Sequence, residues 1–93
     1  MFEIRDSEGS IHLVGRFDAS HADQAREYFN TLSDSAAVDF GRLDYISSAG
    51  LGVLLGTQKR LGESGKRLKL KNMNQHIREL FRIAGFDHVF EIE

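Results

Sequence analysis

The chain has no cysteine and no long apolar run, and each absence excludes a class of protein. Without cysteine there is no disulfide framework, no thiol nucleophile and no sulfur-ligated metal among the 93 residues. No apolar run reaches the roughly 20 residues of a membrane span, and the N-terminal stretch carries charges where a signal peptide needs an apolar core. We therefore expect a single cytoplasmic domain over residues 1–93, with no membrane span.

Positive and negative charges nearly balance, since the formal net charge is −2. Such a charge gives no general attraction to nucleic acid. The one basic cluster, "KRLKLK" from Lys66 to Lys71, alternates charge with leucine as a half-buried strand does. Hydrophobic residues make up 41% of the chain, enough for one core, but a chain this short has little room for a deep active site. We expect a binding domain that does not contact nucleic acid.

The common catalytic and ligand-binding motifs are absent or wrongly spaced. "GLGVLLG" carries Gly50, Gly52 and Gly56, whereas a dinucleotide-binding motif needs its third glycine one residue earlier. No serine-hydrolase elbow and no phosphate-binding loop occurs, and the four histidines lack metal-ligand spacing. We expect no catalytic residue, no cofactor and no metal. A small phosphotransfer enzyme using His21 or Asp39 is the alternative from another class.

Strand and helix patterns alternate along the chain. "MFEIR" and "IHLVGRF" flank the turn-forming "DSEGS" and predict an N-terminal β-hairpin. A first helix is predicted to start at Ser20, with Asp23 completing a capping box. The strand "AAVDF", a second helix, the strand "RLKLKNM", a third helix and the strand "VFEIE" follow. This order predicts an α/β fold with a mostly parallel five-stranded sheet and three main helices.

The second helix has one apolar side and one polar side. Helical spacing places four leucines on a face toward the core: Leu51, Leu54, Leu55 and Leu61. The same spacing directs three polar residues toward water: Gln58, Lys59 and Glu63. We expect this helix to pack on the sheet through its leucines.

Two serines, Ser47 and Ser48, lie where this second helix begins. The first amides of a helix have no intrahelical partner, so a serine here can serve as an N-cap worth ~1 kcal/mol. A serine at this place is also a suitable phosphoacceptor, because the free amides and the helix dipole compensate the added charge. Gly50 and Gly52 in the first turn would let the backbone of a partner approach closely. Both interpretations of the serines remain open on spacing alone.

Three stretches, taken in order, resemble one known family. "GRFDAS", "VDFGRLDYISSAGLGVLL" and "KLKNMNQHIRELFRIAGF" are similar to the STAS domain of bacterial anti-sigma-factor antagonists, and the resemblance spans nearly the whole chain. It implies a STAS-like βα superhelix without catalysis of its own. It also implies binding to an anti-sigma factor that is a serine kinase and inactivates the antagonist by phosphorylating a serine at the start of the second helix. A metal-dependent serine phosphatase would reverse this step.

In register with the Gly-Leu-Gly triplet, the resemblance places the phosphoacceptor on Ser48. Many relatives have an aspartate where this chain has Ser47, and Asp18 and Asp39 match acidic positions near the phosphorylated serine. The partner surface implied in this way contains Asp18, Asp39, Ser47, Ser48 and Gly50, with Lys59 as a rim contact. The alternative within the family is a constitutive scaffold subunit of a stress-signalling or lipid-transport complex, in which Ser48 is only a helix cap.

Overall fold

The computed structural model describes all 93 residues, and its backbone alternates strands and helices after an N-terminal hairpin. The elements in chain order are β1 (Phe2–Ser7), β2 (Ser10–Phe17), α1 (Ala22–Phe29), β3 (Ala36–Ile46), α2 (Ser48–Gly62), β4 (Leu68–Lys71), α3 (Gln75–Ile83) and β5 (Glu91–Ile92). Two short 3-10 turns lie at Ala19–His21 and Phe86–His88. The predicted α/β class and the three main helices are confirmed.

The five strands form one sheet in the order β1-β2-β3-β4-β5. The hairpin strands β1 and β2 are antiparallel, and every other neighbouring pair is parallel. Parallel neighbours need a crossover connection, which is why a helix follows each of β2, β3 and β4. The mostly parallel sheet expected from the sequence is confirmed.

The core lies between one face of the sheet and the helices. Val38 and Phe40 of β3 are almost fully buried, and the Phe40 ring meets the Phe81 ring of α3 edge-on at 5.9 Å. The alternate side chains of the strands project from the other face, which no helix covers. We call this the open sheet face; it carries Arg5, His12, Arg16, Asp39, Arg42 and Lys71.

The core side of α2 differs in part from the expected leucine face. Leu54 and Leu61 are buried as predicted, but Leu51 and Leu55 are only half-buried. The rest of the buried stripe is formed by Gly50, Val53 and Thr57. A threonine can lie there because its hydroxyl donates a hydrogen bond of 2.9 Å to the Val53 carbonyl, and no buried side-chain nitrogen or oxygen is left unpaired.

Gln58 was expected to point toward water and instead joins two other elements. Its Nε2 donates to the Val89 carbonyl at 3.1 Å, and its Oε1 accepts from the Leu68 amide at 2.8 Å. A half-buried amide side chain that both donates and accepts can connect a helix to a strand and a loop. Gln58 therefore ties α2 to the start of β4 and to the segment before β5.

No helix of this structure has the length and apolar character that crossing a membrane would require.

Candidate functional site

The two serines at the start of α2 have different roles. Ser47 has extended backbone angles, φ −88° and ψ 169°, and its hydroxyl oxygen accepts a hydrogen bond from the Gly50 amide at 3.1 Å. Ser47 is therefore the N-cap. Ser48 is the first residue of the helix, is exposed, and uses its hydroxyl in no hydrogen bond within the chain. The alternative in which Ser48 is only a helix cap is therefore wrong, because Ser47 is the cap.

Gly50 is fixed by packing inside the chain. It is buried, and a Cβ atom added to it would lie 2.9 Å from Ile46 Cγ1 and 3.1 Å from the ring of Phe17. Only glycine lets the first turn of α2 approach the end of β2 this closely. At Gly52, an added Cβ would meet nothing within 4 Å. This corrects the expectation that Gly50 offers its backbone to a partner; Gly52 has the open position.

The end of β2 is joined directly to the start of α2. The Ser47 amide donates to the Phe17 carbonyl at 2.9 Å. Asp18 follows Phe17, and the 3-10 turn after it packs against α2, so the Asp18 turn adjoins the start of this helix. The structure thus brings together Asp18, Ser47 and Ser48, three of the residues that the sequence analysis singled out.

The Asp18 carboxylate is held by the 3-10 turn that follows it. Its Oδ1 accepts hydrogen bonds from the Ser20 hydroxyl at 2.6 Å and the Ser20 amide at 3.1 Å, and His21 Nε2 lies 3.7 Å away. The hydrogen bond from the Ser20 hydroxyl is the main cause that lowers the pKa of Asp18, and His21 adds to it, while desolvation acts in the opposite direction. Asp18 is therefore fully ionised at neutral pH.

This arrangement corrects the predicted start of α1. Ser20 does not cap that helix, because its hydroxyl is used as a donor to Asp18. The helix begins at Ala22, and the residue in the cap position, His21, makes no capping hydrogen bond. Asp23 pairs with Arg26 at 2.7 Å instead of completing a capping box.

Asp39 does not lie near Ser48. The strand that was expected to end at Phe40 continues to Ile46, and from Asp39 to that end the chain runs roughly 23 Å at about 3.3 Å per residue. The Asp39 carboxylate faces the open sheet face, where it accepts hydrogen bonds from the Gly41 amide at 2.8 Å and Asn72 Nδ2 at 3.0 Å. The expected proximity of Asp39 to the serine is wrong, and with it the expected acidic pair.

Lys59 is exposed on α2, as expected, but it lies far along the helix from Ser48. Eleven positions at about 1.5 Å per residue separate the two by about 16 Å along the axis. Because a helix turns by about 100° per residue, the two side chains still point in nearly the same direction. Ser48, Gly52, Leu55 and Lys59 therefore form one strip along α2, which we call the α2 strip.

His21 and Asp39, the residues of the phosphotransfer alternative, lie apart. The nearest acid to His21 is Asp18, while the histidine near Asp39 is His12, with Nδ1 at 3.8 Å from the carboxylate. No group of three or more histidine and acidic side chains is arranged to hold a metal ion.

Comparison with known proteins gives a family and several named relatives. The family model described as "Mlab, STAS domain" matches residues 1–92. BtrV of Bordetella bronchiseptica, named as a candidate anti-sigma factor antagonist, is 47% identical over 84 residues, which is 86% of this chain and 72% of that protein. The anti-sigma-B factor antagonist of Bacillus subtilis is 30% identical over 95 residues, with 97% of this chain and 87% of that protein covered.

Solved structures show the same fold. The anti-sigma factor antagonist SpoIIAA in its unphosphorylated form aligns with a TM-score of 0.79 at 22% identity, covering 100% of this chain and 88% of that one. The Bacillus cell fate determinant SpoIIAA in the phosphorylated form aligns with a TM-score of 0.72 at 20% identity, covering 100% and 91%. The fold of this chain therefore matches that of SpoIIAA in both forms.

Proposed function

The chain belongs to the STAS domain family, and from this premise we propose that it is an anti-sigma-factor antagonist that switches partners when Ser48 is phosphorylated. In this proposal the unphosphorylated form binds an anti-sigma factor and so releases a sigma factor. The names of its relatives in Bordetella bronchiseptica and Bacillus subtilis support this role. The role is one of binding and needs no catalysis by the chain itself.

The observation that carries the proposal is the free hydroxyl of Ser48 next to a capped Ser47. A phosphoacceptor must be exposed and must not be needed by the fold, and Ser48 meets both conditions. The amide of Gly50 is already paired with Ser47, but the helix still presents other first-turn amides and the positive end of its dipole to a group on Ser48. A phosphate can therefore be accepted at this position without refolding.

The switch itself is electrostatic and steric. A phosphate adds about −1.5 to −2 charges to the start of α2, which adjoins the turn that carries the ionised Asp18. A partner that binds this surface in the unphosphorylated state must complement Asp18 with a positive or hydrogen-bond-donating group. The added charge and volume would then obstruct docking and change the local potential, which weakens binding. Asp39 does not contribute, because it is remote from Ser48.

The partner is proposed to be an anti-sigma factor that is also a serine kinase, with a metal-dependent serine phosphatase reversing its action. The docking surface consists of the Asp18 turn, Ser48 and the α2 strip, with Lys59 at its far end. Along this strip Gly52 has open space above its backbone, which allows close approach. The half-buried Leu55 adds apolar contact area in the middle of the strip.

The experiment that tests the proposal is phosphate mapping. The purified chain is incubated with candidate anti-sigma-factor kinases and ATP, and the product is analysed by mass spectrometry. We expect one phosphate on Ser48, none after Ser48→Ala, and retained labelling after Ser47→Ala. Labelling mainly on Ser47 or His21 would contradict the assignment, and absence of labelling with every kinase would favour the constitutive scaffold.

A further inference from the structure

A bulge in β3 turns Arg42 onto the open sheet face. In the pairing of β2 with β3, His12 is opposite Asp39 and Val14 is opposite Arg42, so two steps along β2 correspond to three along β3. Strict alternation would place Asp39 and Arg42 on opposite faces of the sheet. The extra residue re-aims Arg42 to the side of Asp39 and His12, an effect typical of β-bulges.

Arg42 is the one arginine of the chain that has no partner. Each of the other seven has an ion pair, a hydrogen bond to a carbonyl or a stacked ring: on the open sheet face, Arg5 pairs with Glu3 at 2.7 Å and Arg16 lies over the ring of Tyr45 at 4.4 Å. Asp39 forms no ion pair with Arg42, and its carboxylate accepts hydrogen bonds from Gly41 and Asn72 instead. The guanidinium of Arg42 therefore has all its donors free, and it lines a cavity on the open sheet face.

The cavity beside Arg42 has a volume of about 290 Å³ and is lined only by polar residues: Arg5, Ser7, Glu8, His12 and Arg42. Its volume is near the lower limit of about 300 Å³ for small-molecule sites, which are mostly apolar. A small, fully polar cavity with two guanidinium groups, an imidazole and a hydroxyl suits a small hydrated anion. Glu8 is the one lining group that opposes an anion.

We propose that this cavity binds a small oxyanion, either a phosphate ion or the phosphoryl end of a larger metabolite. Arg42 supplies the planar pair of donors that matches two phosphate oxygens. Arg5 pairs with Glu3 through Nε and Nη2 and keeps Nη1 for the anion, and His12 and Ser7 add donors from the hairpin side. The site lies on the face away from the helices, so it goes beyond the switch at Ser48 and does not depend on it.

The test is an amide NMR titration of the full chain with inorganic phosphate, with chloride added to matched ionic strength as the reference. We expect saturable shifts at residues 5–12 and at Arg42, and none at Ser48, by about 10 mM phosphate, which detects even a millimolar Kd. Equal shifts with chloride, or no saturation, would overturn the proposal.

Three variants distinguish a specific anion site from a general effect of surface charge. Arg42→Ala should raise the Kd about tenfold or more. Arg42→Lys keeps the charge but lacks the planar pair of donors, and it should raise the Kd about threefold. Lys71→Ala removes the same charge from the same face outside the cavity and should leave the Kd within about twofold. Equal weakening by Arg42→Ala and Lys71→Ala would overturn the proposal. The Lys variant carries the comparison if the Ala variant fails to fold.

A fourth variant should strengthen the binding of phosphate. Glu8→Gln removes the opposing carboxylate and should lower the Kd for phosphate about twofold to fivefold; an unchanged or higher Kd would contradict the assignment of the cavity. Titration with a nucleoside triphosphate distinguishes the two sources. Tighter binding than phosphate indicates the phosphoryl end of a metabolite, and equal or weaker binding indicates free phosphate.

Discussion

The hydroxyl oxygen of Ser47 accepts a hydrogen bond from the Gly50 amide at 3.1 Å, and this contact determines what the next residue can do. Because Ser47 already caps α2, the hydroxyl of Ser48 is not needed by the helix. The chain thus places a capping serine next to a serine whose hydroxyl is free. Substitutions at the two positions should therefore have different effects.

Ser47→Ala should lower the free energy of unfolding by about 1 kcal/mol, the usual cost of losing an N-cap. Ser48→Ala should change it by less than about 0.5 kcal/mol, because that side chain is exposed and unpaired. Urea denaturation of both variants and the wild type measures the difference. A larger loss for Ser48→Ala than for Ser47→Ala would show that the cap was assigned to the wrong serine.

Gly50→Ala should destabilise the chain by about 1–3 kcal/mol, since its new methyl group would press on Ile46 and Phe17 at 2.9 and 3.1 Å. Gly52→Ala is the matched control in the same helical turn. There the methyl group meets nothing, so the higher helix propensity of alanine should stabilise the chain by up to about 1 kcal/mol. Thermal unfolding distinguishes the two, and shifts of the same sign would contradict the packing described for Gly50.

Asp18 should titrate below its ordinary pKa of 3.8, and Ser20→Ala should raise that pKa toward the ordinary value, because the Ser20 hydroxyl is the main stabiliser of the carboxylate. A depressed pKa in the folded state contributes stability above the unfolded value, and the contribution is lost as pH falls through the folded value. The sensitive window is thus below about pH 4. Carboxyl NMR titration measures the shift, and an unchanged pKa in Ser20→Ala would contradict the assigned cause.

Phosphorylation of Ser48 should alter the surface while leaving the fold intact. The phosphate lies at the dipole end of α2, and the buried stripe of that helix is on another side. Amide NMR should show shifts at residues 46–54 and around Asp18, with Phe81 and the Asp39 region unaffected. Widespread shifts that reach α3 would mean that the phosphate remodels the domain.

Strand and helix order could be predicted from the sequence because periodicity and turn residues agree along most of the chain. The hairpin at "DSEGS" and the strand "RLKLK" are clear examples, since charge and leucine alternate in the latter with the period of a strand. The position of Ser48 next to the helix start was equally readable. The sequence could not show which of the two adjacent serines is the cap. Serine is favoured at the N-cap, and a helix that starts one residue earlier or later would satisfy this preference equally well.

The length of β3 could not be predicted, and Asp39 was misplaced as a result. Its bulges put Asp39, Arg42 and Tyr45 on the same face at spacings of three, which destroys the period of two that marks a strand. Gly41 then looked like the end of the element. The unpaired Arg42 was missed for the same reason, although a glycine inside an extended stretch, here Gly41, is a signal for a bulge.

The most direct test of the central claim is the affinity of one anti-sigma factor for the two forms of this chain, measured by isothermal titration calorimetry. We expect phosphorylation of Ser48 to raise the Kd by about tenfold or more, at least ~1.4 kcal/mol of binding free energy. The phosphorylated form should be equally well folded in the same sample. Equal affinity of the two forms for that partner would contradict a phosphorylation-gated switch at Ser48.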